Sequence, residues 1–183
     1  RLFAVVIPGY MKMVEEGWQA NGEAMANFQK AAESKVLVER AKKLQHPLSG
    51  LTVIRNARIF DSDKAQLKAA SDVYVLRGRI TAILPAGSPV RGAVAEIDAQ
   101  GKILLPGLFD MHGHVGRWDG GLNIAAGVTS VRDMGNDNAQ MQLLLNEISN
   151  GNLLGPQIVP AGFLEGESPY SANNGFVIKN LAE

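Results

Sequence analysis

Apolar and charged residues alternate with a helical period over the first part of the chain. Between residues 10 and 45, lysines, glutamates and an arginine occupy the positions between recurring apolar side chains. This pattern predicts a helical segment over 1–50, with a break at Asn21–Gly22, where Asn21 is the candidate N-cap. Ahead of it, Leu2–Ile7 predicts a buried strand, with the tail of a signal-peptide core as the alternative. The expected apolar face of the helix comprises Met25, Phe28, Ala32, Val36, Val38 and Leu44.

From residue 51 the period changes to the two-residue alternation that is typical of strands. Short β runs, separated by turn residues, extend over 51–105. Around Arg77–Gly78 two connections remain open: a tight hairpin turn, or a longer loop with a bulge, because arginine is a poor residue for positive φ. A module of this length is too small to bury an adequate core alone. The pattern therefore predicts a β module that needs a partner surface.

Strand and helix patterns alternate over 106–183. One strand leads into Asp110–His114, and two more are predicted at Val128–Val131 and Gln157–Ala161, with a helix over Ala139–Ile148 between them and a loop over 162–175. This alternation predicts a parallel sheet and an α/β fold. A closed (β/α)8 barrel takes about 250 residues. We therefore expect the first three units of a TIM-type barrel in a fragment, and not a separate non-barrel fold.

Composition excludes several other classes of protein. The chain has 18 basic and 18 acidic residues, and no basic block is longer than Lys42–Lys43, which argues against a nucleic-acid groove. No apolar run approaches the ~20 residues of a membrane span. The absence of cysteine excludes disulfides and thiolate metal sites.

The sharpest chemical signal is the pair His112 and His114. Side chains at i and i+2 on a strand project from one face, so two imidazoles can meet one metal ion. A chance H-x-H is the alternative, but the position directly after an apolar strand favours metal ligation. By the same alternation, Asp110 is expected on the side of His112. It could fix a histidine tautomer or bind nearby backbone, and these two interpretations are equally supported.

Other polar and aromatic residues are weaker candidates. Tyr170, in the loop after the third strand, is the candidate for substrate contact, with a solvated tyrosine as the alternative. Arg132 and Asp133 are equally compatible with a substrate contact and a structural salt bridge. Trp118 and Asp119 are interpreted as packing and helix-cap residues.

Residues 105–114 resemble the P-G-x-x-D-x-H-x-H signature of the metal-dependent amidohydrolase superfamily. Further stretches resemble that family in the same order along the chain. Those at 125–135 and 155–162 are similar to its imidazolonepropionase-like and prolidase-like branch. The other similar stretches are 51–61, 73–83 and 97–102.

The resemblance implies the N-terminal part of a hydrolase that cleaves C–N bonds in amides, cyclic amides or Xaa-Pro-like dipeptides. It implies one or two divalent metal ions, zinc above all, held by His112 and His114 together with ligands from later strands. It also implies that 51–105 forms half of a composite β-sandwich and that the fragment alone is inactive. Lys179 lies too early to be the family's fourth-strand lysine. The alternative is a non-catalytic module that self-associates, binds a partner, or pairs with a missing C-terminal part.

Overall fold

The computed structural model describes residues 3–7, 11–92, 95–172 and 175–180 as a mixed α/β structure. The chain divides into two compact units, Arg1–Gln45 with Gly107–Glu183, and His46–Pro106. The N-terminal residues thus group with the residues that follow the β module. The division into three functional segments, 1–50, 51–105 and 106–183, stays a prediction.

The N-terminal segment contains a hairpin ahead of its helix. Strands β1 (Ala4–Ile7) and β2 (Met11–Val14) pair antiparallel, and helix α1 spans Gly22–Leu44. The prediction of helix before the break at Asn21–Gly22 was therefore wrong for 11–14. Gly17 explains the difference, because its φ of 86° cannot belong to a right-handed helix. Leu2 and Tyr10 lie outside the described residues.

Helix α1 buries a different face from the one expected. Leu37 and Ala41 are buried, whereas Phe28 is 78% exposed. Leu37 belongs to the core cluster of the first unit, so the side of the helix that carries Leu37 and Ala41 is the covered one. The predicted face was wrong at Phe28, Val36 and Leu44, which are exposed.

The second unit is a single sheet with the strand order β5-β4-β3-β6. Its strands are β3 (Leu51–Asp61), β4 (Gln66–Leu76), β5 (Arg79–Pro85) and β6 (Ala95–Asp98), with a short β7 (Ile103–Leu104) that also pairs with β3. The strands β3, β4 and β5 run antiparallel in sequence, and both β6 and β7 run parallel to β3.

The turn between β4 and β5 combines features of both predicted connections. Arg77 and Gly78 form a two-residue turn with φ values of 51° and 73°. Positive φ at both central residues is the conformation that fits the twist of a two-residue hairpin. A register shift between Tyr74 and Val75 supplies the irregularity as well. Arg77 therefore adopts positive φ despite its low preference for it.

A buried carboxylate ties this sheet together. Asp72 accepts hydrogen bonds from Arg55 Nη1 at 2.7 Å, Asn56 N at 3.0 Å and Gly87 N at 2.9 Å. Burial raises the pKa of Asp72, but the Asn56 amide, the Arg55 guanidinium and the Gly87 amide together outweigh it, so the pKa is lowered overall. Glu96 binds the other side of the same guanidinium. The ion pair of Arg55 and Asp72 therefore joins β3 to β4, and the bond from Gly87 to Asp72 adds the loop after β5.

The first unit contains the predicted alternation of strands and helices. Strands β8 (Leu108–Gly113), β9 (Val128–Asp133) and β10 (Gln157–Pro160) form a parallel sheet in the order β10-β9-β8. Helices α2 (Asp119–Ala125) and α3 (Asn138–Ser149) lie in the two connections. The parallel sheet predicted from the sequence is confirmed, and its continuation into a barrel stays a prediction.

The core of this unit lies between the sheet and the helices. Helix α3 begins where Asp137 Oδ1 accepts the amide of Gln140 at 2.8 Å, and the helix places Met141 and Leu144 in the core. The other buried members of the core cluster are Leu37, Val115, Val131, Leu153 and Ile158.

The loop predicted over 162–175 is partly regular. Strand β11 (Leu164–Gly166) pairs parallel with β12 (Phe176–Ile178), so the prediction of a continuous loop was wrong at 164–166. Asn173 and Asn174 lie outside the described residues. Within the described part of the chain, no helix is long and apolar enough to cross a membrane.

Candidate metal site

An extra residue in β8 sets the position of the histidine pair. Asp110 lies beside Val131 and Gly113 beside Asp133, so Met111 and His112 together oppose Arg132 alone. Two residues opposite one define a β-bulge, a feature that redirects side chains at the ends of strands. Arg132 Nε donates to the carbonyl oxygen of Met111 at 2.9 Å, and this bond holds the bulge. Arg132 thus binds backbone here, which neither sequence interpretation anticipated.

Gly113 shows which side of the sheet each histidine occupies. A Cβ on Gly113 would lie 2.6 Å from Val131 Cγ1, and Val131 belongs to the buried core. Gly113 therefore faces the core, and strand alternation places His112 and His114 on the opposite, open side. Their rings lie 5.8 Å apart, centroid to centroid, at an interplanar angle of 74°.

The bulge separates Asp110 from the histidine face. The Gly113 Cβ position would also lie 3.2 Å from Asp110 Oδ2, so this carboxylate is on the core side. Asp110 Oδ1 accepts the backbone N–H of His112 at 3.0 Å. The prediction that Asp110 shares a side with His112 was wrong, because the alternation is interrupted at Met111. The sequence left two roles open for Asp110, fixing a histidine tautomer or binding nearby backbone, and the structure shows the second.

One ring of the pair has a defined orientation. His114 Nδ1 lies 2.7 Å from the carbonyl oxygen of Gly135, although the side chain is 61% exposed. A carbonyl oxygen only accepts hydrogen bonds, so Nδ1 is the donor. The Nε2 lone pair of the neutral ring is then free for a ligand, as in metal sites where a backbone carbonyl orients the histidine.

The ring separation fits two ligands of a single ion. Rings that share one zinc have centroids at most roughly 6.5 Å apart, since each nitrogen lies about 2.1 Å from the ion and about 1.2 Å from its ring centre. The observed separation of 5.8 Å lies within this limit. Among the described residues, no group of three or more histidine, aspartate or glutamate side chains is placed to hold a metal ion. The pair fits part of a ligand set.

Asp133 is the residue of this region whose role the sequence left open. Its buried side chain accepts the backbone N–H of Val115 at 2.7 Å and that of Gly135 at 3.1 Å. It also lies at one end of a cavity of about 170 Å³ beside α3, which Asn136, Gln142 and Pro160 help to line. The available signal in the sequence was an aspartate at the end of a predicted parallel strand.

The remaining candidates lie at the surface. Tyr170 is 94% exposed, and its role in substrate contact stays a prediction. The guanidinium of Arg40 lies 5.2 Å from the ring centroid of Trp118, and Asp119 Oδ2 accepts the amide of Gly116 at 3.2 Å. Lys179 lies 3.8 Å from Glu167 in an ion pair.

The chain resembles known proteins in both sequence and structure. It is 38% identical over 63 residues to adenine deaminase 3 of Rhizobium johnstonii, a match that covers 34% of this chain and 10% of the deaminase. A solved Bifidobacterium longum structure assigned as a prolidase matches 74% of this chain and 35% of its own, with a TM-score of 0.61 and 22% identity. The bottromycin amidohydrolase structure matches 81% of this chain and 31% of its own, with a TM-score of 0.59 and 19% identity. No protein-family model matches the chain.

These likenesses define the class of protein first: the chain shares the fold of prolidase-like and amidohydrolase proteins. The sequence match to a curated relative over a third of the chain supports a fragment of an amidohydrolase-superfamily protein. The chain spans about a third of the length of the solved structures that it matches.

Proposed function

We propose that the protein to which this chain belongs is a metal-dependent hydrolase of C–N bonds in amides, cyclic amides or Xaa-Pro-like dipeptides. Its β8, β9 and β10 are the first strands of a TIM-type barrel, and 51–105 is half of a composite sandwich. The observation that carries the proposal is the pair His112 and His114, on one open side of the strand with the Nε2 of His114 free. The metal is zinc, as one or two ions.

The residues of this chain hold the metal and orient its ligands. The bulge at Met111 presents both imidazoles on the open side, and Gly135 fixes the ring of His114. A bound zinc ion lowers the pKa of its water to about 7 and polarises the carbonyl under attack. The remaining ligands and the proton-transfer group come from other segments of the full protein, so this chain alone has little or no activity.

Metal binding gives the first test, and the chain offers a matched control. His112→Ala and His114→Ala each remove one ligand, whereas His46→Ala removes the exposed histidine that lies outside the site. We expect zinc to bind this chain weakly, and either substitution at the pair to abolish that binding in isothermal titration calorimetry. His46→Ala should retain it. Equal binding in all three variants would exclude the histidine pair as ligands.

Hydrolysis gives the second test, in the full protein. We expect turnover of at least one C–N substrate from a panel of Xaa-Pro dipeptides, cyclic amides and simple amides. Removal of metal by a chelator should stop the reaction, and added zinc should restore it. His112→Ala should be inactive, and His46→Ala should match the unchanged protein. Activity that survives in His112→Ala would contradict the proposed mechanism.

Tyr170 is proposed to contact the substrate. Because the side chain of Tyr170 is almost fully exposed, Tyr170→Ala should change the free energy of unfolding by less than about 0.5 kcal/mol relative to the unchanged protein. It should raise KM of the full protein for its best substrate. An unchanged KM would leave Tyr170 as a solvated loop residue.

Exposed apolar surface favours a second function, self-association or partner binding without catalysis. Phe109 on β8 is 70% exposed, and Ile80 on β5 is 62% exposed. Leu108 and Met111 on β8 are exposed as well, and exposed apolar side chains that lie together on one element mark interaction sites. We expect this chain to form oligomers in light scattering, or to become monomeric when the rest of the full protein is supplied. A stable monomer with no C–N hydrolysis in the full protein would count against both functions.

A further inference from the structure

Asp133 connects the two backbone segments that hold His114. Its Oδ2 accepts the amide of Val115, the residue after His114, at 2.7 Å. Its Oδ1 accepts the amide of Gly135 at 3.1 Å, and the carbonyl of Gly135 in turn accepts from His114 Nδ1 at 2.7 Å. One carboxylate therefore fixes the main chain that carries the imidazole and the main chain that receives it.

The burial of Asp133 indicates a specific need for this carboxylate. Its side chain is almost fully buried, and burial of a charged group is costly unless hydrogen bonds offset it. Asn136 Nδ2 supplies a further donor at 3.4 Å. Among the described residues, the ionisable nitrogen that lies near Asp133 is His114 Nδ1, 4.0 Å from Asp133 Oδ1. Two acceptor oxygens serve two different amides, which a serine or an alanine at this position could not do.

We propose that Asp133 is a positioning residue for His114. It keeps the imidazole in the tautomer that carries its proton on Nδ1, and thereby leaves Nε2 unprotonated and aimed at the open side of the sheet. The use of Nε2 for a metal rests on the proposed function, whereas the tautomer itself does not.

The substitution Asp133→Asn tests this role with little change of volume. An asparagine side chain has a single acceptor oxygen, so either the Val115 or the Gly135 amide loses its partner and faces an NH2 group. The matched control is Asp110→Asn, an aspartate that accepts the single amide of His112 and points to the core side.

Long-range ¹H–¹⁵N NMR of the labelled, metal-free protein reads the tautomer of each histidine directly. We expect the Nδ1–H tautomer of His114 in the unchanged protein and in Asp110→Asn. In Asp133→Asn, a substantial population of the Nε2–H tautomer should appear. The zinc Kd should rise about 10- to 100-fold in Asp133→Asn. An Nε2–H tautomer in the unchanged protein, or an unchanged tautomer in Asp133→Asn, would overturn the proposal.

A measurement on the unchanged protein covers the case in which Asp133→Asn does not fold. Scalar couplings across hydrogen bonds should connect the amide nitrogens of Val115 and Gly135 to the carboxylate carbon of Asp133. Absence of either coupling overturns the proposal, and both couplings together with the Nδ1–H tautomer support it. If the tautomer responds as expected but the full protein does not bind zinc, the proposed function fails and the positioning role of Asp133 stands.

Discussion

Replacement of Gly113 by alanine probes the contact that separates the histidine face from the core. The added methyl would lie 2.6 Å from Val131 Cγ1 and 3.2 Å from Asp110 Oδ2. Carbon atoms normally approach to about 3.5–4.0 Å, so one partner must move by about 1 Å. Val131 is 2% exposed and lies within the core cluster, which leaves it little room. Overpacking of this kind costs about 1–3 kcal/mol.

Urea denaturation at neutral pH measures this cost as a change in the free energy of unfolding. Gly162→Ala is the control, because its Cβ would meet no atom within 4 Å and its φ is not positive. We expect Gly162→Ala to change stability by less than about 0.5 kcal/mol. A double-mutant cycle with Val131→Ala should show that the two substitutions are not additive, since the smaller side chain makes room for the methyl. A cost for Gly113→Ala no larger than that of the control, with additivity in the cycle, would refute the reasoning.

Two further predictions concern stability. Asp72→Asn should cost about 1–3 kcal/mol at pH 7, because Arg55 loses its buried carboxylate partner while its ion pair with Glu96 remains. Since the pKa of Asp72 is lowered on folding, its contribution is fully present above the unfolded value of about 3.9 and is lost as the pH falls through the lower folded pKa. Urea titrations at several pH values should therefore show less acid sensitivity in Asp72→Asn than in the unchanged protein. Leu37→Ala should cost about 2–4 kcal/mol, whereas Phe28→Ala should stay within about 0.5 kcal/mol; equal costs in thermal denaturation would contradict the observed face of α1.

The elements that sequence anticipated are those with local signals. Helix α3 begins after Asp137 and ends at Ser149, two residues before Gly151, whose φ of 71° suits the position after a helix C-terminus. The predicted range 139–148 lies inside the observed one. The parallel strands β8, β9 and β10 follow from the alternation of apolar runs with helices. In both cases the information lies within a dozen residues.

The features that sequence missed depend on contacts between distant segments. The bulge at Met111 arises from the pairing of β8 with β9, which strand alternation within β8 cannot report. The buried face of α1 depends on which residues from later segments pack against it, so Leu37 and not Phe28 is covered. For the candidate site, the histidine pair is visible as a motif. The link from Asp133 to His114 is not, because it passes through the backbone of Gly135.

The bulge at Met111 determines where β8 can change in length without moving its histidines to the other side of the sheet. In a regular strand, His112 and His114 would lie on the same side as Asp110, which is the core side next to Val131. The extra residue in the bulge shifts the alternation by one, so both imidazoles lie on the open side. Deletion of Met111 would therefore leave Gly113 on the core side and His112 and His114 on the open side of the sheet. Insertion of one residue between Phe109 and Asp110, where the pairing with β9 is regular, would instead shift Asp110 itself to the other side. Related sequences should thus tolerate a change of length at Met111 but not directly before Asp110.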